Sequence, residues 1–208
     1  NDYNSSAFST SFSNINNSGY SNGNIYAQLW KSVTNTGTYA YTYSYDYQNR
    51  MTNAYYRTTA ITDNKHVLTS TSDYNERNIT YDLNGNILGL RRNGFGTNIN
   101  MDQLTYKYIA NTNKLKQVTD SYTTPAYADD IESQPDANNY TYNKIGQLTG
   151  NKQESNQTIS YNAYGTTKQL TKTQTTGGLT YTPSVRFYYD ANGFRIKKVE
   201  QRPNTGTP

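Results

Sequence analysis

The sequence predicts an all-β protein, built as a series of β-hairpins in an extended antiparallel sheet. One pattern recurs five times: a hydrophobic residue, any residue and a Tyr are followed by Asp or Asn and, three positions later, by Gly or Asn. The chain also contains 23 Tyr, a residue that favours strands and buries a large ring. Other hydrophobic side chains are scarce, since hydrophobic residues make up 33% of the chain and the mean hydropathy is −0.98. Tyr rings are therefore expected to supply a thin, wet core that lines a sheet.

The central copy of the pattern shows why it predicts a hairpin. Ile79 and Tyr81 are two residues apart, so they share one face of a strand. Asp82 suits the first position of a type I turn, because its carboxylate accepts local backbone N–H bonds. Gly85 suits the position where the chain takes a positive φ and closes in a bulge. Leu88 then begins an outgoing strand.

The other four copies keep this spacing. In each, a Gly or Asn lies four residues after the Tyr that precedes the Asp or Asn. Gly and Asn are the residue types that tolerate the left-handed conformation best. The predicted structural turn residues are Asp46, Asn49, Asp82, Gly85, Asn143, Gly146, Asn162, Gly165, Asp190 and Gly193. A repeat architecture is therefore favoured over chemistry at a single site.

Before the central copy, residues 20–25 are expected to form a shorter turn that leads into a strand at 26–33. Residues 38–46 have Tyr at alternate positions and predict the most regular strand of the chain. Residues 51–57 return as its partner.

Three connections interrupt or extend the series. Residues 60–72 are expected to be a polar connection, and residues 91–100 an exposed loop. A hairpin over 104–119 has a loop one residue longer than the others, with Asn113 in the place of Gly. Residues 121–139 form a long irregular insert, for which a surface loop is the default expectation.

Aromatic residues of the first strands leave two interpretations open. Trp30, Tyr41 and Tyr43 could stack on a sugar ring, as exposed aromatic rings do in glycan-binding proteins. A core role beside the sheet is the alternative that we favour. The two interpretations differ in whether the rings point outward or inward.

The sequence indicates no catalytic, cofactor-binding or metal-binding residue. His66 has no second His or Cys near it, and the acidic run 129–132 lacks the alternating spacing of a calcium loop. The repeated Asp46, Asp82 and Asp190 could supply the two catalytic carboxylates of a glycosidase. Each already has a turn role, however, and the equivalent position is Asn in two copies. No cofactor is expected, and the chain is predicted not to be an enzyme.

Charge and hydropathy bear on the expected partners. The net charge is +4, and its positive residues occur in scattered pairs such as Arg91-Arg92 and Lys197-Lys198. Nucleic-acid binding needs a concentrated basic face, so no nucleic-acid partner is expected. There is no apolar run of 18 residues to span a membrane and no signal peptide at the start. An excised part of an exported protein would look like this, and so would a cytosolic protein.

The repeated unit resembles the YD repeat of the RHS (rearrangement hotspot) and teneurin superfamily. Six runs look like the Bacteroidota-type branch of RHS-repeat proteins: GYSNGNIYAQLW, YAYTYSYDYQNRMTNAYY, ITYDLNGNILGLRRNG, LTYKYIANTNKLKQVTD, YTYNKIGQLTG and RFYYDANGFRIKK. The resemblance implies a sheet of linked hairpins that coils into a hollow shell, or cocoon, around a C-terminal domain, often a toxin. The shell-closing core-associated region and the self-cleavage motifs of the family are not seen, so a fragment that precedes them is expected.

The resulting prediction divides the chain into a polar N-terminal segment (1–19), in which Phe12 begins an extra strand, a YD/RHS repeat region (20–199) and a linker (200–208). The predicted function is a structural shell segment of a secreted or cell-surface RHS-repeat protein. Its partners would be the remainder of the same polypeptide and a secretion machinery, with the type IX route suggested by the resemblance. The alternative is a carbohydrate-binding or adhesive module with glycan partners, and a third hypothesis is an unfolded export substrate.

Overall fold

The computed structural model describes residues 20–31, 37–62, 65–96, 99–122 and 130–202. All regular secondary structure in these ranges is β-strand, which confirms the predicted all-β class. The described residues accordingly contain no helix long and apolar enough to cross a membrane. The strand predicted to begin at Phe12 lies outside the described residues, as does most of the predicted C-terminal linker.

The strands are short and are numbered here in chain order. In the described ranges they are β1 (Ala27–Lys31), β2 (Thr38–Tyr45), β3 (Met51–Thr62), β4 (Lys65–Ser70), β5 (Glu76–Tyr81), β6 (Ile87–Asn93), β7 (Asn100–Tyr108), β8 (Leu115–Asp120), β9 (Tyr140–Tyr142), β10 (Leu148–Asn151), β11 (Gln157–Tyr161), β12 (Thr167–Thr171), β13 (Gln174–Thr176), β14 (Leu179–Tyr181), β15 (Ser184–Tyr189) and β16 (Arg195–Gln201). A single hairpin of such strands is marginally stable in water, so each hairpin depends on its neighbours in the sheet.

The first of two compact units comprises the chain up to Thr105 together with residues 120–132. Its strands lie in the order β1-β2-β3-β5-β6-β7, and β4 also pairs with β3. Each of these pairs is antiparallel. Strand β3 has two partners along one edge, because β5 pairs with it at Ala54 and β4 pairs with it from Arg57 onward.

The second unit comprises residues 106–119 and the chain from Ser133 onward. It contains the end of β7, most of β8 and a six-stranded antiparallel sheet in the order β16-β15-β12-β11-β10-β9. Strands β13 and β14 form a separate two-stranded hairpin in the connection from β12 to β15.

Gln134 fixes the end of the irregular insert against β8 in the second unit. Its backbone N–H donates to the Val118 carbonyl at 3.1 Å, and its Oε1 accepts the Val118 N–H at 2.8 Å. The Gln117 side-chain amide donates to the Gln134 carbonyl at 2.7 Å. Gln134 and Asn139 are buried, whereas residues 131–133, 135, 137 and 138 are exposed. The described part of the insert is therefore a surface loop, as predicted, that two buried side chains anchor.

The core of the described residues is thin and partly polar. Its buried apolar side chains are Ala40, Ala54, Ile79, Leu104 and Val118. The largest fully buried side chains are those of Asn139 and Asp102. Asn139 donates to Asn151 Oδ1 at 2.8 Å and accepts the Gln153 N–H at 2.7 Å, so its burial is compensated.

Two segments differ from the sequence prediction. Residues 60–72 were expected to be a polar connection, but they complete β3 and contain all of β4. Their Thr and Val residues favour strands although Asp, Asn, Lys and His stand among them in the sequence. Residues 91–100 were expected to be an exposed loop, but β6 continues to Asn93, which is 4% exposed. Asn93 is held there because its backbone N–H donates to the Asn75 carbonyl at 2.8 Å.

The loop between β7 and β8 has the predicted extra residue but not the predicted left-handed position. The Ile109 N–H donates to the Lys114 carbonyl, five residues on. The left-handed residue is Asn111, with φ 60°, and not Asn113. Because the Thr112 N–H closes the turn on the Ile109 carbonyl, the chain reverses before it reaches Asn113.

Candidate functional site: linked turns, an aromatic face and an acidic cluster

The five repeated turns share one backbone geometry. At each, the first residue accepts a bond from the N–H three residues on and donates its own N–H to the carbonyl four residues on. The first residues are Asp46, Asp82, Asn143, Asn162 and Asp190. The third residue after each has a positive φ, at Asn49 (62°), Gly85 (86°), Gly146 (89°), Gly165 (81°) and Gly193 (84°). A bulge in the ladder follows, as this turn type requires.

The side chain of each first turn residue caps its own turn. In all five turns its Oδ1 accepts the backbone N–H groups of the second and fourth residues that follow, at 2.8–3.1 Å. An Asp carboxylate and an Asn amide both offer this oxygen. The capping role therefore explains why Asp and Asn alternate among the repeats.

In four of the five turns, the remaining polar atom of the capping side chain is matched by the residue four positions on; in the fifth, Phe194 follows Asp190 at that position. Asp needs a donor there and Asn needs an acceptor, because Oδ1 is already committed to the backbone. The pairs are Asp46 Oδ2 with Arg50 Nε, Asp82 Oδ2 with Asn86 Nδ2, Asn143 Nδ2 with Gln147 Oε1 and Asn162 Nδ2 with Thr166 Oγ1, each at 2.7 Å. The sequence analysis missed this pairing, although the residue types four apart carry the signal.

The turn carboxylates are poorly suited to act as general acids. At Asp82 the hydrogen bond from the Asn86 side chain, with the backbone N–H groups of the turn, lowers the pKa of the carboxyl. At Asp46 desolvation acts to raise the pKa, but the backbone and side-chain bonds from Arg50 outweigh it and the pKa is lowered. A glycosidase acid needs the opposite shift.

Tyrosine hydroxyls join each repeat to an earlier hairpin. We call these contacts the tyrosine clasps. In each, the Tyr directly before the capping residue donates its hydroxyl to a backbone carbonyl. The clasps are Tyr45 to Ile25 (2.9 Å), Tyr81 to Met51 (2.6 Å), Tyr142 to Leu115 (2.8 Å), Tyr161 to Leu148 (2.8 Å) and Tyr189 to Thr167 (2.8 Å).

The acceptors of the clasps occupy equivalent positions. In four of the five clasps, the acceptor is the first residue of a strand that leaves a turn. Each of these four clasps therefore fixes the entry of one turn against the exit of an earlier turn, within the same unit. The sequence analysis assigned these tyrosines to a strand face but could not find their acceptors, which are main-chain atoms.

Stacked rings form an aromatic face on the first unit, defined by Trp30, Tyr39, Tyr41, Tyr43, Tyr56, Tyr74 and Phe95. The Trp30 ring stacks on Tyr39 at 6.0 Å and on Tyr41 at 5.7 Å. Tyr41 stacks on Tyr43 at 6.2 Å, so the three predicted glycan-stacking residues lie together. They are half-buried, whereas Tyr74 and Phe95 at the other end are 47% and 61% exposed.

Polar contacts fix the tyrosine hydroxyls of this face. The Tyr41 hydroxyl donates to the Tyr74 carbonyl at 3.0 Å, and the Tyr43 hydroxyl donates to Gln28 Oε1 at 3.2 Å. Burial raises the pKa of Tyr41, with a further contribution from the carboxylate of Glu76. Both hydroxyls therefore remain protonated at neutral pH and act as donors.

Three carboxylates from separate segments of the first unit form an acidic cluster: Asp102 on β7, Asp120 at the end of β8, and Asp130 in the irregular insert. Burial and the neighbouring carboxyls, Asp102 first among them, raise the pKa of Asp130 to about 6. The sequence analysis examined only the local run 129–132 and therefore missed the two members that β7 and β8 supply.

No protein-family model matches the sequence, and no curated protein does. Among solved structures, the chain is similar to one in a crystal structure of TcdB2-TccC3-Cdc42, with 14% identity over 82% of this chain and a TM-score of 0.44. It is also similar to one in a crystal structure of TcdB2-TccC3 without the hypervariable C-terminal region, with 13% identity over 88% of this chain and a TM-score of 0.46.

The chain spans only 9% and 11% of the lengths of those two structures' chains. At TM-scores below 0.5 the similarity does not establish a family. Membership of the RHS superfamily is accordingly a proposal.

Proposed function

We propose that this chain is a structural segment of an RHS-type shell, in a secreted or cell-surface protein that encloses or carries a C-terminal effector or toxin domain. The observation that carries the proposal is the series of tyrosine clasps. They join hairpin to hairpin in both units, and four of the five do so through the same pair of positions. Such repetition is best suited to a structural sheet, because every repeat contributes the same contact between hairpins and none contributes a reactive group.

The energetics of the described residues support a wall that forms by addition of repeats. A lone hairpin is marginal, whereas stacked hairpins share a ladder and cover each other's edges. Few apolar side chains are buried here, so the ladder, the capped turns and the clasps have a large share in the stability. The partner implied by this function is the remainder of the same polypeptide, which would continue the sheet.

Protease protection in the natural full-length protein tests the proposal. A variant with Tyr81, Tyr161 and Tyr189 changed to Phe removes three clasps, and a variant with Tyr47 and Tyr164 changed to Phe removes hydroxyls of side chains that are 86% and 93% exposed. We expect the region C-terminal to this segment to resist protease in the wild type and in the control, and to be cleaved faster in the clasp variant. A C-terminal region that is cleaved equally fast in all three would contradict an enclosing role.

A carbohydrate-binding or adhesive function is the second candidate, favoured by the aromatic face. Stacked rings at one end of that face and exposed rings at Tyr74 and Phe95 could offer a platform to a sugar. A glycan array tests it with Trp30→Ala and Phe95→Ala, and with Phe194→Ala as the control, a ring that is 70% exposed and lies outside the face. Glycan binding that is lost in the first two variants and kept in the third would favour this function over the shell.

A further inference from the structure

The acidic cluster brings three negative charges into a site with little access to water. Asp102 is fully buried, and Asp120 is 8% exposed. One carboxylate oxygen from each of Asp102, Asp120 and Asp130 lies within 4.8 Å of the other two. Like charges at this separation repel strongly in a protein interior, so the arrangement needs compensation.

Protein groups compensate only part of this charge. Asp102 is satisfied, because its Oδ2 accepts Arg92 Nε at 2.7 Å and its Oδ1 accepts the Ile131 N–H at 3.0 Å. Asp120 Oδ1 accepts the Gln103 N–H at 2.7 Å and the Tyr122 N–H at 3.1 Å. Arg92 is thus the one cationic side chain paired with the cluster in the described part of the chain.

Two buried carboxylate oxygens of the cluster have no hydrogen-bond partner among the described residues: Asp120 Oδ2 and Asp130 Oδ1. Asp120 is more than nine-tenths buried, so its unpartnered oxygen has little water to bind. A buried oxygen with no partner carries a desolvation cost. A single proton shared by Asp102 and Asp130 would relieve the repulsion of that pair, but it would leave Asp120 Oδ2 unsatisfied. A cation that contacts all three carboxylates would satisfy both oxygens at once.

We propose that Asp102, Asp120 and Asp130 bind a divalent cation, with Ca²⁺ as the ion that fits best. All three ligands are carboxylate oxygens, the ligand type that hard cations prefer. The three oxygens lie within 4.8 Å of one another, and oxygens that bind one Ca²⁺ at about 2.3–2.6 Å can be up to about 5 Å apart. Ca²⁺ also accepts irregular sets of carboxylate oxygens, whereas Mg²⁺ demands near-ideal octahedral geometry and gives up its waters reluctantly. The ion would tie Asp130 in the irregular insert to Asp102 on β7 and to Asp120, all within the first unit.

The test uses the 208-residue chain, stripped of metal with EDTA and titrated with CaCl₂ by isothermal calorimetry. A thermal melt with and without Ca²⁺ is the second readout. We expect one Ca²⁺ per chain, a higher melting temperature with Ca²⁺, and a weaker response to MgCl₂. Asp120→Asn and Asp130→Asn should fold in EDTA, because each removes a repelling charge, and both should lose the calcium-dependent rise in melting temperature.

Asp136→Asn is the matched control, because it makes the same chemical change elsewhere in the insert, where Asp136 pairs with Lys152 on the surface. It should keep the wild-type response to Ca²⁺. The proposal is overturned if wild-type chain shows neither heat nor a melting shift at about 1 mM Ca²⁺, the weak end of extracellular calcium sites. It is also overturned if Asp120→Asn or Asp130→Asn keeps the full calcium response.

Discussion

Replacing Tyr161 with Phe should lower the free energy of unfolding by about 1 kcal/mol, the usual net value of one protein hydrogen bond. The change removes a single hydroxyl, which donates to the Leu148 carbonyl at 2.8 Å. The ring itself and the strand that carries it are kept. Any loss of stability therefore measures the clasp rather than the packing of the ring.

The structure sets the size of the expected effect. The Leu148 carbonyl accepts from a neutral phenol, so the larger values for charged partners do not apply. Tyr161 is half-buried, which leaves room for water to replace the hydroxyl in part. For a chain of 208 residues, a loss of 1 kcal/mol corresponds to a fall in melting temperature of about 2–4 °C.

The measurement is urea unfolding followed by far-ultraviolet circular dichroism, with Tyr164→Phe as the control. Tyr164 lies three residues away in the same turn and is 93% exposed, so loss of its hydroxyl should change the midpoint very little. Tyr189→Phe should repeat the effect of Tyr161→Phe, because its clasp to Thr167 has the same length, 2.8 Å. Equal midpoints for Tyr161→Phe and Tyr164→Phe would refute the structural role assigned to the clasps.

Three further predictions concern the turns; urea midpoints measure the first and the third, and the midpoint of acid unfolding measures the second. Asp46→Asn should destabilise the first unit, because the new amide NH₂ would face the Arg50 side chain, which has no acceptor for it. Asn162→Asp should cost little, because the Thr166 hydroxyl can donate to the new carboxylate instead of accepting from the amide. Equal losses of stability in the two variants would contradict the matching of capping pairs. Hydrogen bonds from Arg50 lower the pKa of Asp46 despite the desolvation of its carboxyl. The ionised carboxylate therefore stabilises the fold fully above the ordinary carboxyl pKa, and this stabilisation is lost as the pH falls through the lower pKa of the folded state. An Asp46→Asn variant with an unchanged midpoint of acid unfolding would contradict this pH dependence. Gly85→Ala should lower the free energy of unfolding by about 1–2 kcal/mol. The loss comes from the left-handed backbone alone, since an added Cβ would meet no atom within 4 Å. Gly85→Asn should lower it less, and the reverse order would refute the argument from φ.

The hairpin series could be predicted from the sequence because its signals are local. Asp82 and Gly85 lie within one turn, and residue type and spacing are enough to indicate that turn. The error at residues 60–72 has a physical cause, since the polar residues of the segment were given more weight than the strand propensity of Thr and Val. Strand β4 pairs with the second half of β3, from Arg57 with Ser70 to Thr62 with Lys65, so this hairpin is as local as the repeated ones but has a different turn sequence.

The acidic cluster shows which part of a site a sequence does not reveal. Asp102, Asp120 and Asp130 are separated by 18 and 10 positions, and the contacts of Asp120 and Ser121 with Gln103 on β7, together with the path of the insert, bring them together. The burial of Asn139 is likewise a tertiary effect, because its amide is satisfied by Asn151 and Gln153 on the next strand and turn. Polar residues of this kind have low prior odds of burial.

The choice of a main-chain oxygen as the acceptor in every clasp has a consequence for how such a chain can change over time. A carbonyl is present whatever amino acid occupies the position, as Ile25, Met51, Leu115, Leu148 and Thr167 illustrate. The donor needs only its own Tyr, so two adjacent modules require no co-adapted side chains at this joint. Modules of this design can be duplicated, deleted or exchanged with foreign ones while the junction stays intact.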